Sequence, residues 1–427
     1  MVFVGGVMIN SPVKDDYKLS RIMYILEAAF EYFIAVLVGG AYLAKVTSSI
    51  GIPDSVTGIL TSFVSLGCTF QIVAIFLINK RPVKRWVTFL HTINQLFFAL
   101  IYLTPFLKIS QEVKVTLFII FLLGGHVINN VVNAPKINWF MSLVDDDKRG
   151  SFTANKEIVS LIGGMLFSFF IGFIIDKFEA EGNLQGAFVF CGIGVFVLAM
   201  LHTATLIISR EKPIETQKQP TAKILKELIK DKKLILVAII PTLWNIAHYV
   251  ATPFYGTYQI NELGFSMSFV SILAVIYAVV RSIFSKPLGK FADKRSFTTM
   301  TTVCYIIASI GFLINTFTVP SNGKVFYTVY YVLHAIAMAG INSGAINLIY
   351  DFVDKEKRTG ALALSQSIAG ISGFLTTLLA SVLVDHIQKT NTLFGIPVYA
   401  QQVVSLIACI LTALIPIYVL LVIKKLK

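Results

Sequence analysis

The stretch NAPKINWFMSLVDDDKR, residues 133–149, has a second copy in the same chain, NSGAINLIYDFVDKEKR, residues 342–358. At one constant offset of 209 residues, Asn, Ile-Asn, Val-Asp and Lys-Arg coincide between the copies. In each copy an apolar run ends, a short charged loop follows, and a second apolar run begins. The same offset continues to align Gly164 with Gly373 and Asp176 with Asp385. We infer that the chain consists of two halves of common ancestry that have the same orientation.

Composition places both halves in a membrane. Of the 427 residues, 56% are hydrophobic and only 14% are charged, whereas soluble domains have about a quarter charged residues. Because a helix needs about 20 mostly apolar residues to cross a bilayer, the apolar runs predict twelve spans. The predicted spans cover residues 22–46, 55–78, 86–107, 114–144, 151–176, 184–208, 233–259, 266–288, 297–319, 324–351, 360–386 and 396–423. The expected fold is an all-α integral membrane protein with twelve transmembrane helices in two pseudo-symmetric six-helix bundles.

The basic residues orient this bundle. If both termini are cytoplasmic, most of the 36 Lys and Arg residues lie in cytoplasmic loops, as the positive-inside rule requires. The linker segment TAKILKELIKDKK separates an apolar face from a lysine face, the pattern of a helix on the membrane surface. The predicted divisions are a cytoplasmic tail 1–21, a first bundle 22–208, a cytoplasmic linker with an amphipathic helix 209–232, a second bundle 233–423 and a cytoplasmic tail 424–427.

With twelve spans, a parallel 6+6 repeat and a polar central loop, the chain resembles the major facilitator superfamily. The segment GKFADKRS, residues 289–296, is similar to the loop motif of that superfamily. We expect Gly289 to permit a tight turn and Asp293 to lie at the positive N-terminal end of the eleventh span. Lys294 and Arg295 would then hold the inner surface as part of this gate motif. The loop after the second span keeps only the basic residues, which predicts a different latch in the first half.

Two acids, Glu27 and Glu31, interrupt the first span. Residues four apart share one face of a helix, and a charge at the centre of a membrane helix costs about 2.5–3.5 kcal/mol. These acids should therefore face the interior or an aqueous cavity, which the resemblance places between spans one, four, seven and ten. Because two ionised carboxylates on a desolvated face repel, they favour one shared proton. We predict that both couple transport to protons, mainly the deeper Glu31; a sodium site and a static polar pair are the alternatives.

Polar and aromatic side chains of three other spans are candidates for substrate binding. They are Asn130, Asn133, Trp244, Asn245, His248, Tyr249 and Asn342. Amides offer paired hydrogen-bond donors and acceptors, and aromatic rings stack on sugar faces, so the set suits an uncharged solute with several hydroxyls. Any one of these residues could instead hydrogen-bond a neighbouring helix.

Lys136 and Glu157 lie at similar depths on the fourth and fifth spans. We predict a structural ion pair between them, and the second half lacks it because Ala345 and Gln366 take the corresponding places. Arg281 in the eighth span is expected to reach the inner surface with its long side chain or to pair with an acid in the cavity.

These features together predict a secondary-active transporter that moves a small polar organic solute, with a sugar or glycoside favoured, by proton-coupled symport and alternating access. A proton-driven exporter of amphipathic drugs or lipids is an alternative. In a different class, a non-transporting receptor or an intramembrane enzyme also remains open, although no hydrolase or HExxH pattern occurs. We expect no enzymatic activity, cofactor or metal, no nucleic acid partner, and a monomer in the lipid bilayer of a bacterial inner membrane.

Overall fold

The computed structural model describes residues 16–78, 82–145, 148–212, 221–354 and 357–426. Most of the predicted N-terminal tail and the middle of the predicted linker lie outside the described residues. The helices of the first half are α1 (Lys18–Leu37), α2 (Gly40–Ser49), α3 (Asp54–Thr61), α4 (Phe63–Cys68), α5 (Gln71–Ile78), α6 (Lys84–Leu103), α7 (Gln111–Met141), α8 (Arg149–Ala180) and α9 (Leu184–Ile208).

The linker and the second half continue in the same way. Their helices are α10 (Thr221–Lys230), α11 (Lys232–Tyr249), α12 (Tyr255–Thr257), α13 (Met267–Lys294), α14 (Phe297–Thr316), α15 (Gly323–Phe352), α16 (Arg358–Thr390) and α17 (Ala400–Leu421). A π-helical turn, Tyr258–Glu262, extends α12. Two short antiparallel strands, β1 (Thr392–Leu393) and β2 (Ile396–Pro397), form the hairpin before α17.

Within the described ranges, eleven helical segments are long and apolar enough to cross a membrane. The helices α1 and α2 meet at an angle of 44° and make a twelfth span if they are counted together. At the start of α2, Gly40 has a φ of 51°, a left-handed conformation that glycine adopts without steric cost. The prediction of an all-α membrane protein is confirmed.

The helices pack into two lobes that follow the two halves of the sequence. In the first lobe α1 packs against α8 and α9, and α6 packs against α7 and α9. In the second lobe α14 packs against α15 and α17, and α11 packs against α16 and α17. The repeat is visible in the helix limits, because α8 begins at Arg149 and α16 begins at Arg358, the offset of the sequence copies.

The lobes meet where α8 ends and α13 begins. The Asp176 carboxylate accepts hydrogen bonds from the amides of Met267 at 2.7 Å and Ser268 at 2.8 Å. A Cβ added at Gly172 would lie 2.7 Å from the Met267 carbonyl oxygen, so the two helices need a glycine at this crossing. An anion is favoured here because the N-terminus of a helix carries a partial positive charge.

A second contact joins the start of α3 to the end of α16. Asp54 accepts hydrogen bonds from the side-chain amides of Asn261 at 2.8 Å and Gln388 at 3.0 Å. We call the end of the bundle that carries Asp54 and Asp176 the closed end. The main packing between the lobes involves α2–α5 and α8 on one side and α12, α13, α16 and the neighbouring turns on the other.

The segment GKFADKRS differs from its prediction. The helix α13 runs through Gly289 and Asp293 to Lys294, so Gly289 makes no tight turn. Asp293 is exposed, and α13 packs mainly against α8, α14 and α15 instead of α16. The placement of Asp293 at the N-terminus of α16 is therefore wrong, because the eighth span faces the fifth span across the lobes. Lys294 and Arg295 are exposed where the chain turns into α14.

Candidate functional site

Four helices of the first lobe bring five ionisable side chains together. This charged cluster consists of Glu27, Glu31, His91, Lys136 and His202, from α1, α6, α7 and α9. Four of the five side chains are almost fully buried, and only Glu31 retains 23% of its exposure. The two predicted coupling acids thus face the interior of the lobe.

Lys136 lies at the centre of the charged cluster. Its Nζ is 2.8 Å from Glu27 Oε1, 2.5 Å from Glu31 Oε2 and 2.9 Å from His91 Nε2. Because an ammonium group has three N–H donors, each contact uses one of them. A buried ammonium group is tolerated when all of its N–H donors are hydrogen-bonded in this way.

The predicted ion pair between Lys136 and Glu157 is wrong. Although α7 and α8 follow each other in the chain, α7 packs mainly against α3–α6, whereas α8 packs against α1, α9 and α13. Glu157 is exposed on α8. Lys136 therefore reaches across to the acids of α1, which take the role assigned to Glu157.

The hydrogen bonds around His91 define its neutral tautomer. Since Nε2 accepts from Lys136, the ring proton belongs on Nδ1, which lies 3.2 Å from Asn94 Oδ1. The same oxygen accepts from Gln95 Nε2 at 2.7 Å, and Asn94 Nδ2 donates to the Gly125 carbonyl at 2.7 Å. The amides of α6 thus hold His91 against Lys136.

His202 approaches the charged cluster from α9. Its Nε2 donates to Glu27 Oε1 over 2.9 Å, and its ring centroid is 4.5 Å from that of His91. Two polar atoms here are buried without a hydrogen-bond partner among the described residues, His202 Nδ1 and Glu27 Oε2. Buried polar atoms are normally hydrogen-bonded, so these two are exceptions within the charged cluster.

The charge of the cluster depends on one proton. With both rings neutral, two carboxylates and one ammonium leave one net negative charge, and a single added proton removes it. Ligand atoms of Glu27, Glu31, His91 and His202 lie within 4.8 Å of one another, a spacing that could hold a metal ion. The ammonium of Lys136 lies between those ligands, so a metal ion would have to displace it.

Aromatic rings gather in the interior of the second lobe. This aromatic cluster consists of Trp244, His248, Tyr277, Phe312, Tyr330 and His334. The His334 ring centroid lies 5.4 Å from those of His248 and Tyr330 and 5.8 Å from that of Tyr277. His248 Nδ1 and His334 Nε2 are buried without a hydrogen-bond partner among the described residues. Both nitrogens therefore keep unused hydrogen-bonding capacity.

Among the predicted substrate residues, Trp244, His248 and Tyr249 come together. The His248 ring centroid is 5.2 Å from that of Trp244 and 5.3 Å from that of Tyr249. A Cβ added at Gly373 would lie 2.9 Å from the Tyr249 ring, and Thr377 donates to the Tyr249 carbonyl at 2.8 Å. Tyr249 therefore also fixes α11 against α16.

The predicted asparagines are more dispersed. Asn130 accepts from Gln71 Nε2 of α5 at 2.9 Å, which joins two helices, and donates to the His126 carbonyl of its own helix at 2.9 Å. Three others make no side-chain hydrogen bond in the described part of the chain, namely Asn133, Asn245 and Asn342. Asn342 is exposed, and the other two are half-buried. Their role in binding substrate remains a prediction.

Sequence reasoning missed His91, His202 and His334. Each is a polar residue within a largely apolar helix, and such residues usually face the interior of a bundle. That signal existed in the sequence, but the partners of each ring come from other helices. Only the packing of α6, α7 and α9 around α1 unites two of these histidines with the acids.

A surface cavity of about 450 Å³ lies at the closed end of the first lobe. Gln111, Lys114 and Phe188 are among its lining residues, and none of that lining belongs to the charged or the aromatic cluster. We therefore assign the candidate site to the two clusters.

Comparison with known proteins agrees with this architecture. A family model described as Major Facilitator Superfamily matches residues 22–333 and 246–425. No curated protein sequence matches the chain.

Several solved transporter structures have a similar fold. A variant of the nucleoside transporter NupG has a TM-score of 0.72 at 13% identity, over 94% of this chain and 99% of that chain. A D-xylose-proton symporter has a TM-score of 0.70 at 15% identity, over 95% and 97%. A POT family peptide transporter has a TM-score of 0.71 at 9% identity, over 96% and 97%. At such identities the similarity establishes the fold alone.

Proposed function

This chain belongs to the major facilitator superfamily of membrane transporters, and on that basis we propose that it is a proton-coupled symporter of a small polar organic solute. The observation that carries the proposal is the charged cluster, in which a buried ammonium holds two carboxylates and only Glu31 retains access to the space outside the lobe.

Proton coupling follows from the charge of this cluster. A coupled carrier needs a group that gains and loses a proton as its site is exposed to either side of the membrane. Glu31 fits this need because its carboxylate is held by Lys136 and still partly exposed. His202 and Glu27 lie behind it, and their free atoms extend the proton site into the lobe.

The aromatic cluster supports a ring-shaped solute with several hydroxyls, and we favour a sugar or glycoside. Rings such as Trp244 offer flat apolar faces, and the free nitrogens of His248 and His334 offer hydrogen bonds. The similar structures carry different polar solutes, including nucleosides and D-xylose by their names. The choice among solutes therefore rests on these side chains.

The positive-inside rule supports the orientation that we propose. It places both termini in the cytoplasm of a bacterial cell and the closed end outside. In that orientation the lobes are in contact on the external side, and the site communicates with the cytoplasmic side. Alternating access would then require the contacts of Asp54 and Asp176 to open.

The test is uptake by proteoliposomes of purified protein under an inward proton gradient, with D-xylose, D-glucose and cellobiose as probes. We expect the Glu31→Gln variant to lose at least tenfold of gradient-driven accumulation while it retains solute exchange without a gradient. Glu157→Gln is the matched control, because Glu157 is an exposed acid of the same lobe outside the charged cluster.

Two outcomes would contradict the proposal. Undiminished accumulation by Glu31→Gln would remove this carboxylate from the coupling mechanism. If the wild type accumulates solute under a sodium gradient but not under a proton gradient, the coupling ion is sodium and the proposed proton coupling is wrong.

A further inference from the structure

Arg281 lies in the middle of a transmembrane helix. The helix α13 runs from Met267 to Lys294, so about 20 Å of helix extends on either side of Arg281. The helix α13 continues past the predicted end of the eighth span at residue 288, and the expectation that the Arg281 side chain reaches the inner surface stays a prediction. Arg281 is a cation midway along this helix.

The Arg281 side chain is on the interior face of α13. Ile272, Val279 and Ile283 are 41%, 42% and 61% exposed and mark the lipid face of the helix. At about 100° per residue, Arg281 is roughly 160–180° away from all three. It lies four residues after Tyr277 of the aromatic cluster, one turn along the same face.

The neighbours of Arg281 are neutral. Tyr277 precedes Arg281 by one turn of α13, and the Tyr277 ring centroid lies 5.8 Å from that of His334. Arg281 thus lies beside the aromatic cluster.

No carboxylate of the described residues forms a salt bridge with Arg281, whereas Lys136 has two such partners. A charged side chain on the interior face of an apolar helix is costly unless an opposite charge accompanies it. Beside it, His334 is 7% exposed and its Nε2 has no hydrogen-bond partner in the described ranges. A guanidinium and a free imidazole nitrogen together form a site for an anion.

We propose that Arg281, Tyr277 and His334 bind a carboxylate of the transported solute, which is then an acidic sugar such as a uronic or aldonic acid. The guanidinium donates two hydrogen bonds to a carboxylate in a planar geometry, and the sugar ring packs on the aromatic cluster. This inference rests on the proposed function and changes the expected substrate from an uncharged sugar to a sugar acid.

The charges of the two lobes support a monoanion. Without solute, Glu27 and Glu31 are balanced by Lys136 and Arg281. Lys156 and Glu157, the other charged pair at intermediate depth, are adjacent on α8 and cancel. A bound carboxylate adds one negative charge, and one proton on the charged cluster restores neutrality. A phosphate monoester carries about two negative charges, so one added proton would leave about one negative charge uncompensated.

The test is binding to the purified full-length protein, measured by calorimetry and by thermal stabilisation. The probes are D-glucuronate, D-gluconate, D-glucose and D-glucose 6-phosphate. We expect at least one of the two carboxylates to bind the wild type at least tenfold more tightly than D-glucose. Arg281→Gln should abolish that preference and Arg281→Lys should retain part of it. Lys286→Gln, which changes an exposed cation of the same helix, should leave it unchanged.

Three results separate this inference from the proposed function. If neither carboxylate binds the wild type more tightly than Arg281→Gln, or if glucose 6-phosphate binds more tightly than both, the inference is overturned. Full proton-driven uptake of D-glucuronate by Arg281→Gln would also overturn it and would leave proton symport intact. Arg281-dependent binding of a carboxylate without gradient-driven uptake would support the site and contradict the proposed coupling.

Discussion

The two lobes repeat one helix plan and gather different chemistry in their interiors. The first lobe buries two carboxylates, an ammonium and two imidazoles, whereas the second lobe gathers aromatic rings with free nitrogens. At the offset of the repeat, Ala345 stands where the first lobe has Lys136. Without an ammonium the second lobe cannot hold two buried acids.

The repeat therefore preserves the arrangement of the helices but not the side chains of the candidate site. Helix starts such as Arg149 and Arg358 coincide after 209 residues, while the side chains that point into the lobes differ. In the proposed mechanism this division separates proton binding in the first lobe from solute binding in the second. The predictions below test whether each lobe has the role proposed for it.

The largest expected effect is the loss of the central cation of the first lobe. Lys136→Met leaves Glu27, which is 0% exposed, without its counter-charge. Removing one partner of a buried ion pair costs about 3–5 kcal/mol. We expect a loss of that size in the free energy of unfolding, measured by denaturant titration in detergent micelles.

The double variant Glu27→Gln with Lys136→Met is the control for this prediction. Neutral residues of similar shape often replace a buried ion pair at little cost, so the double variant should recover most of the stability. A single variant that loses less than about 1 kcal/mol would contradict the buried pairing.

The second prediction compares one tryptophan from each lobe. Trp244→Phe reduces the flat surface of the aromatic cluster, so we expect the KM for the solute to rise about tenfold, equivalent to ~1.4 kcal/mol. Trp139→Phe in the first lobe, where the indole N–H donates to the Arg210 carbonyl, should leave KM unchanged. The KM values are obtained from initial uptake rates at varied solute concentration. Equal changes in KM for the two variants would contradict the assignment of solute binding to the second lobe.

The smallest effect concerns the contact between the lobes. Asp176→Asn removes a carboxylate that accepts two amide hydrogen bonds at the start of α13. A charge at a helix N-terminus contributes about 0.3–2 kcal/mol. We expect the population with the closed end shut to fall by a few-fold.

Asp385 is the matched control for Asp176 because the repeat aligns the two residues. Its carboxylate pairs with Lys389 of the same helix at 2.7 Å, so Asp385→Asn should not change the contact between lobes. Spin labels at Asp145→Cys and Asp354→Cys, in a background without native cysteines, would report the separation of the lobes at the opposite end. Equal distance distributions for both variants would contradict a latch at Asp176.

Much of the fold was predictable because it depends on local composition. Apolar runs of about 20 residues must form helices in a bilayer, since no water satisfies their backbone groups. The same argument predicted that Glu27 and Glu31 face the interior, and both do. The repeated segment predicted the relation between the two halves before any contact was known.

Local reasoning failed where partners come from distant helices. Depth along neighbouring segments suggested Glu157 for Lys136, but α1 supplies the partners and α7 and α8 are not principal neighbours. Gly289 was expected to turn the chain because a loop was assumed there, whereas the helix continues past Pro287 and Gly289 to Lys294.

The sequence alone therefore determined the membrane class, the twelve apolar segments, the internal repeat and the inward direction of the acids. These properties depend on the free energy of transferring side chains and backbone from water to hydrocarbon. That free energy is set by the composition of each segment separately. Only the tertiary structure decided that Lys136, His91 and His202 surround those acids and that Arg281 is left without one. Such pairings depend on which helices become neighbours, and that is settled by packing over the whole bundle and not within any one segment.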